Sequence, residues 1–154
     1  MNKEFFMKEA LKEAEKAYEI NEVPIGAVVV KDGEIVGRGF NKRESEKDPT
    51  AHAEMIAIRE ASRNLGGWRL HQCDMYVTVE PCPMCAGAVM LSRIKNLYIG
   101  VQDSKGGACG SVLNIPQNEK FNHYVNMEFG ILEEECRDIL QKFFVKLREM
   151  RKAK

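Results

Sequence analysis

His52 and Glu54 flank a single alanine in His52-Ala53-Glu54, and thirty residues on Cys82 and Cys85 bracket Pro83-Met84 in Pro81-Cys82-Pro83-Met84-Cys85. One imidazole and two thiols are ligand types that zinc takes in tetrahedral sites, and three protein ligands leave the fourth corner for water. A closed structural site needs a fourth His or Cys. The nearest candidates, His71, Cys73 and Cys109, match no such spacing. The pattern therefore predicts an open, catalytic site. Zinc lowers the pKa of bound water towards roughly 7, and Glu54, a carboxylate that need not be a ligand, is the natural proton carrier beside it.

Those side chains need elements to aim them. A helix over residues 51–65 carries Ala53, Ile56, Ala57, Ala61 and Leu65 on one stripe and stops at Gly66-Gly67. His52 and Glu54 then sit in its first turn, pointing to different faces. Asp48 or Thr50 is the expected cap. Met75 to Val79 reads as a strand, Cys82 to Leu91 as a helix and Ile94 to Val101 as a further strand. That order with short loops predicts a parallel crossover, with the thiol pair opening its helix where the dipole favours thiolate.

Upstream, residues 3–20 read as an amphipathic helix with a solvated charged face, ended by Pro24. Residues 26–30 and 34–40 form a hairpin around Asp32-Gly33, and Ala27-Val28-Val29-Val30, apolar without alternation, predicts a strand covered on both faces. Residues 41–50 are polar and irregular. Residues 102–123 form a long loop, and loops of that length in compact domains are often functional. A short strand over 124–129 and a helix over 132–150 complete the chain; the helix starts with Glu133-Glu134-Glu135 and ends rich in Lys and Arg, matching its dipole. Trp68 and the methionines of the 82–91 helix are expected in the core.

At 154 residues the chain is expected to be one domain, 1–154, able to bury about 68–70% of its unfolded surface. An apolar fraction of 44% with 30% charged residues is ordinary for a soluble protein. No apolar run reaches the 18 or so residues of a membrane span, and the N-terminus lacks the apolar segment of a secretory signal. A cytoplasmic protein is expected. Lys plus Arg and Asp plus Glu each total 23, so any nucleic-acid contact must come from local patches such as Lys42, Arg43, Lys105 and the basic end of the last helix. Five cysteines form no disulfide framework, and Cys73, Cys109 and Cys136 are expected to be packing residues.

His-x-Glu followed by Pro-Cys-x-x-Cys resembles the zinc-dependent cytidine and deoxycytidylate deaminase superfamily. A closer resemblance, to its bacterial tRNA adenosine deaminase branch, runs over residues 3–148. It is carried by Val23-Pro24-Ile25-Gly26-Ala27-Val28, Asn41, Asp48 to Glu54, Glu80 to Ala88, Ser92-Arg93-Ile94, Gly100, Asp103, Lys105 to Ala108, Gly110-Ser111 and Phe121-Asn122-His123. The resemblance implies a three-layer α/β/α fold with a central mixed sheet of about five strands. It implies a hydrolase converting adenosine to inosine at the wobble position of a tRNA anticodon, by a zinc-activated water and a glutamate proton shuttle. His52, Cys82 and Cys85 would hold one Zn2+ per subunit, with Glu54 catalytic. Asn41 would meet the flipped base, and Asp103, Lys105 and His123 would meet the anticodon stem-loop; a neutral chain can do this because RNA loops are read by splayed bases, shape and 2′-hydroxyls as well as phosphates. The resemblance further implies an arginine tRNA as substrate and a homodimer.

Two other functions share these residues. A deaminase of a free base or nucleoside, such as guanine or cytidine, would use the same four-residue centre and ignore tRNA. A zinc-stabilised RNA-binding module would keep the ligands and not need Glu54.

Overall fold

The computed structural model describes residues 2–153. Helix α1 (Lys3–Glu19) leads into β1 (Gly26–Lys31) and β2 (Glu34–Phe40), which pair antiparallel across Asp32-Gly33. Both turn residues take positive φ, 51° and 77°, the geometry that suits a two-residue hairpin turn. A four-residue helix α2 (Arg43–Glu46) follows, then α3 (Ala53–Leu65), β3 (Cys73–Val79), α4 (Pro83–Leu91), β4 (Asn96–Val101), β5 (Asn126–Phe129) and α5 (Glu133–Lys152). The sheet order is β2-β1-β3-β4-β5, with β1 antiparallel to β3 and both β3–β4 and β4–β5 parallel.

Period-two alternation builds the two faces. Ala27 and Val29 of β1, Met75 and Val77 of β3, and Leu97 and Ile99 of β4 pack with α3 and α4. Their neighbours Val28, Val30, Tyr76 and Tyr98 pack on the other face with Phe6, Met7 and Ala10 of α1 and Cys136 of α5. Each fully buried side chain of this size contributes about 1.5–3 kcal/mol. The result is the expected three-layer α/β/α arrangement on a five-stranded mixed sheet, with β1 covered on both faces.

Glycine sets how closely α3 lies on the sheet. A Cβ at Gly39 would run into the Ala53 carbonyl, and one at Gly37 into the Ala57 carbonyl. With Ala53, Ala57 and Ala61 fully buried opposite, the backbones of β2 and α3 meet without side chains between them. That contact holds the first turn of α3, and with it His52 and Glu54, over the end of the sheet.

Four expectations are corrected. The cap of α3 is His52 itself, because Asp48 Oδ1 is taken by the Thr50 N–H and hydroxyl at 2.8 and 2.7 Å. Residues 41–50 are not simply irregular: Glu22, 1% exposed, accepts from the N–H groups of Glu44 and Ser45 at 3.1 and 2.6 Å and anchors α2. The charged face of α1 is not all solvated, since Glu9 and Glu13 are buried and reach Arg38 of β2 at 2.6 and 3.3 Å. Trp68 is not core; it is 53% exposed, with the Arg69 guanidinium 4.2 Å from its ring centre. Cys73, Cys109 and Cys136 are buried packing residues as expected.

Candidate metal centre

His52 is the residue from which α3 starts and Cys82 the residue from which α4 starts, both in extended backbone conformation. Pro83 occupies the first helical position of α4, where its missing N–H is no loss. Cys85 follows one turn in, so two helix N-termini face each other and three ligand atoms converge. His52 Nδ1 lies 3.6 Å from Cys82 Sγ and 3.5 Å from Cys85 Sγ. Sulfur at about 2.3 Å and nitrogen at about 2.0 Å from one ion, on tetrahedral angles, stand about 3.6 Å apart. The spacing of the trio therefore fits zinc, and among the described residues no fourth His, Cys, Asp or Glu joins it.

The electrostatics favour thiolate at Cys82 and hold the proton on Cys85. Cys82 is lowered to about 5, chiefly because the Cys85 thiol donates to it, with further help from the N–H groups of Cys85 and Met84 and the nearby His52. Cys85 is raised, by that same hydrogen bond first and by burial next. Glu54 is 4% exposed, and burial pushes its carboxyl up to about 7 against the pull of its own backbone N–H. A carboxyl in that range can both take and release a proton near neutral pH.

In front of the trio opens a cavity of about 390 Å³. It is lined by His52, Glu54 and Cys82, by Val23, Ile25 and Asn41, and by Asp103 and Gly106. Asn41 is buried; its amide nitrogen donates to the Val23 carbonyl and its oxygen accepts from the Arg43 N–H, each at 3.2 Å. Asp103 Oδ1 accepts from the N–H groups of Lys105 and Gly106, both at 3.1 Å, which turns the loop at the cavity edge. Lys105 is exposed and outside the cavity wall. His123 lies outside it too, its Nε2 2.7 Å from the Ile94 carbonyl oxygen.

Phe144 and Glu80 reach the cavity without a role assigned to them from the sequence. Phe144 reaches it from α5, 38 residues beyond Gly106, the last of the other lining residues, and only the packing of α5 puts it there. Glu80 sits in the wall with its carboxylate buried. Its one sequence signal is a place just ahead of Pro81-Cys82.

Three converging ligands, a buried carboxylate and room in front of them make a single-metal hydrolytic centre. The family model for the cytidine and deoxycytidylate deaminase zinc-binding region matches residues 1–101, and the chain belongs to that family. It is 54% identical over 150 residues, 97% of this chain and 93% of the other, to a tRNA-specific adenosine deaminase of Bacillus subtilis (strain 168). A solved structure from studies of A-to-I editing by tRNA:A34 deaminases at the wobble position of transfer RNA superposes with a TM-score of 0.85 at 46% identity, covering 88% of this chain and 99% of that one. A guanine deaminase from Bacillus subtilis is also similar, with a TM-score of 0.63 and 42% identity over 66% of each chain.

Proposed function

We propose that this chain, as one deaminase domain over residues 1–154, hydrolyses adenosine to inosine and ammonia at the wobble position of a tRNA anticodon. In this reading His52, Cys82 and Cys85 hold one zinc ion per subunit and Glu54 is the catalytic proton carrier. The observation that carries it is Glu54, buried beside the ligand trio in the lining of a cavity. The high identity to a relative named for this reaction supports the choice of substrate.

Zinc, when bound, supplies the Lewis acidity that makes a water nucleophilic near neutral pH. The chain's own residues do the rest. The cavity takes an extruded base, with Ile25 and Val79 as apolar walls. Asn41 keeps one N–H and one lone pair free after its bonds to Val23 and Arg43, and these meet the base edge. The Glu54 carboxylate takes a proton from the attacking water and passes it to ring N1, then takes the remaining proton from the new C6 hydroxyl and passes it to the amino group, which leaves as ammonia. Asp103 lines the cavity, while Lys105 and His123 contact the anticodon stem-loop outside it.

The preferred substrate in this reading is an arginine tRNA, the enzyme is a cytoplasmic homodimer, and the exposed face around Leu91 and Trp68 supports the pairing of two copies. Zinc-loaded protein incubated with an arginine tRNA bearing adenosine at the wobble position should produce inosine; none from folded, loaded protein overturns the proposal. The likeness to a guanine deaminase favours one second reading, deamination of free guanine. Ammonia released from guanine, with tRNA left unchanged, would establish it instead.

A further inference from the structure

Glu80 is 3% exposed, and among the described residues it forms no ion pair. Its charge is met by hydrogen bonds from one loop. Oε1 accepts from the Asp103 N–H at 3.1 Å and from the Ser111 hydroxyl; Oε2 accepts from the N–H groups of Cys109 and Ser111 at 3.0 and 3.1 Å. The loop wraps the carboxylate so tightly that a Cβ on Gly107 would fall on it. Four donors and no donor of its own suit an anion, since a carboxylate only accepts.

The two ends of this cluster belong to different parts of the cavity. Glu80 precedes Pro81-Cys82, and its backbone N–H bonds the Val101 carbonyl while the Ala108 N–H bonds the Pro81 carbonyl, at 2.9 and 2.8 Å. Asp103 and Gly106 line the same cavity as His52 and Cys82. The carboxylate thus fastens the wall that meets substrate to the segment that carries a ligand.

Resting on the proposed activity, we propose that Glu80 is a positioning residue for the RNA substrate: it fixes the 103–111 loop at the distance from the ligand trio that a bound nucleotide requires. Its removal frees the loop and weakens substrate capture while leaving the trio assembled. A purely structural role predicts instead a loss of stability with kinetics unchanged per folded molecule.

The test compares zinc-loaded wild type, Glu80→Gln and Ser111→Ala on an anticodon stem-loop with adenosine at the wobble position. Zinc content, amide exchange and steady-state kinetics are read on the same samples. Gln turns an amide donor towards N–H groups, so exchange at the Asp103, Cys109 and Ser111 amides should rise and KM should climb about tenfold. Zinc should stay at one per chain and kcat within about twofold. Ser111→Ala, which removes one of the four bonds, should show the same pattern more weakly and serves if Glu80→Gln does not fold. An unchanged KM, or a kcat that falls in step with zinc content, overturns the proposal. If wild type makes no inosine, the activity reading has failed, and stem-loop binding with amide exchange still decides Glu80: wild-type affinity or a protected loop in the variants overturns it.

Discussion

In the proposed reaction the chemistry turns on Glu54. It stands second in α3, held out of water, two residues after one ligand and beside another. Glu54→Gln keeps the shape of the side chain and removes its ability to move protons. Inosine formation should fall by about 10²–10⁴-fold while zinc content and stem-loop affinity stay at wild-type values. Metal analysis, a binding titration and single-turnover assays check the three parts. That His52, Cys82, Cys85 and Glu54 would meet was legible in the sequence because soft ligands are few and their spacing is distinctive. The contacts of Glu80 and Glu22 were not: a buried carboxylate satisfied by backbone N–H groups of a distant loop leaves no local pattern of its partners, and acidic residues are normally exposed. Trp68 was misread for the converse reason, since size and apolarity argue for burial and only the tertiary arrangement left it outside.

At the scale of elements, the contact between β2 and α3 decides where the imidazole sits. Gly39→Ala puts a methyl group into the Ala53 carbonyl, and neither backbone can yield without moving α3. Such overpacking costs about 1–3 kcal/mol. Denaturant unfolding should show that loss, and zinc content should fall with it, because His52 and Ala53 move together. The same change at exposed Gly67, which has open space around it, should do neither. The helices and strands themselves were legible from periodicity, to within two or three residues at their ends. The helical turn at Arg43–Glu46 was hidden because its anchor, Glu22, lies twenty residues earlier on the far side of a hairpin.

For the molecule as a whole, charge and exposed apolar surface make two claims. Glu9 is held below its ordinary 4.5, first by Lys12 and then by Arg38. A depressed carboxyl stabilises the fold above 4.5, and that contribution is lost as pH falls through the folded value. Arg38→Met should therefore be less stable than wild type at pH 7 and converge on it as pH falls from 4.5 through the lowered Glu9 value, read by urea unfolding across that range. Leu91 is 60% exposed and Trp68 53%, beside a groove of about 310 Å³ lined also by Ile58 and Ala88. Patches of this kind mark contact surfaces. Sedimentation should give a dimer for wild type and a monomer for Leu91→Arg. The order of the strands carries one more consequence, for assembly. His52 emerges before either thiol during synthesis and meets them only once the β1–β2 hairpin has seated α3 and β3 has paired with β1, so a chain grown no further than Pro81 offers the ion a single ligand. Loading waits on folding, and a nascent chain handed its ion early has nowhere complete to put it.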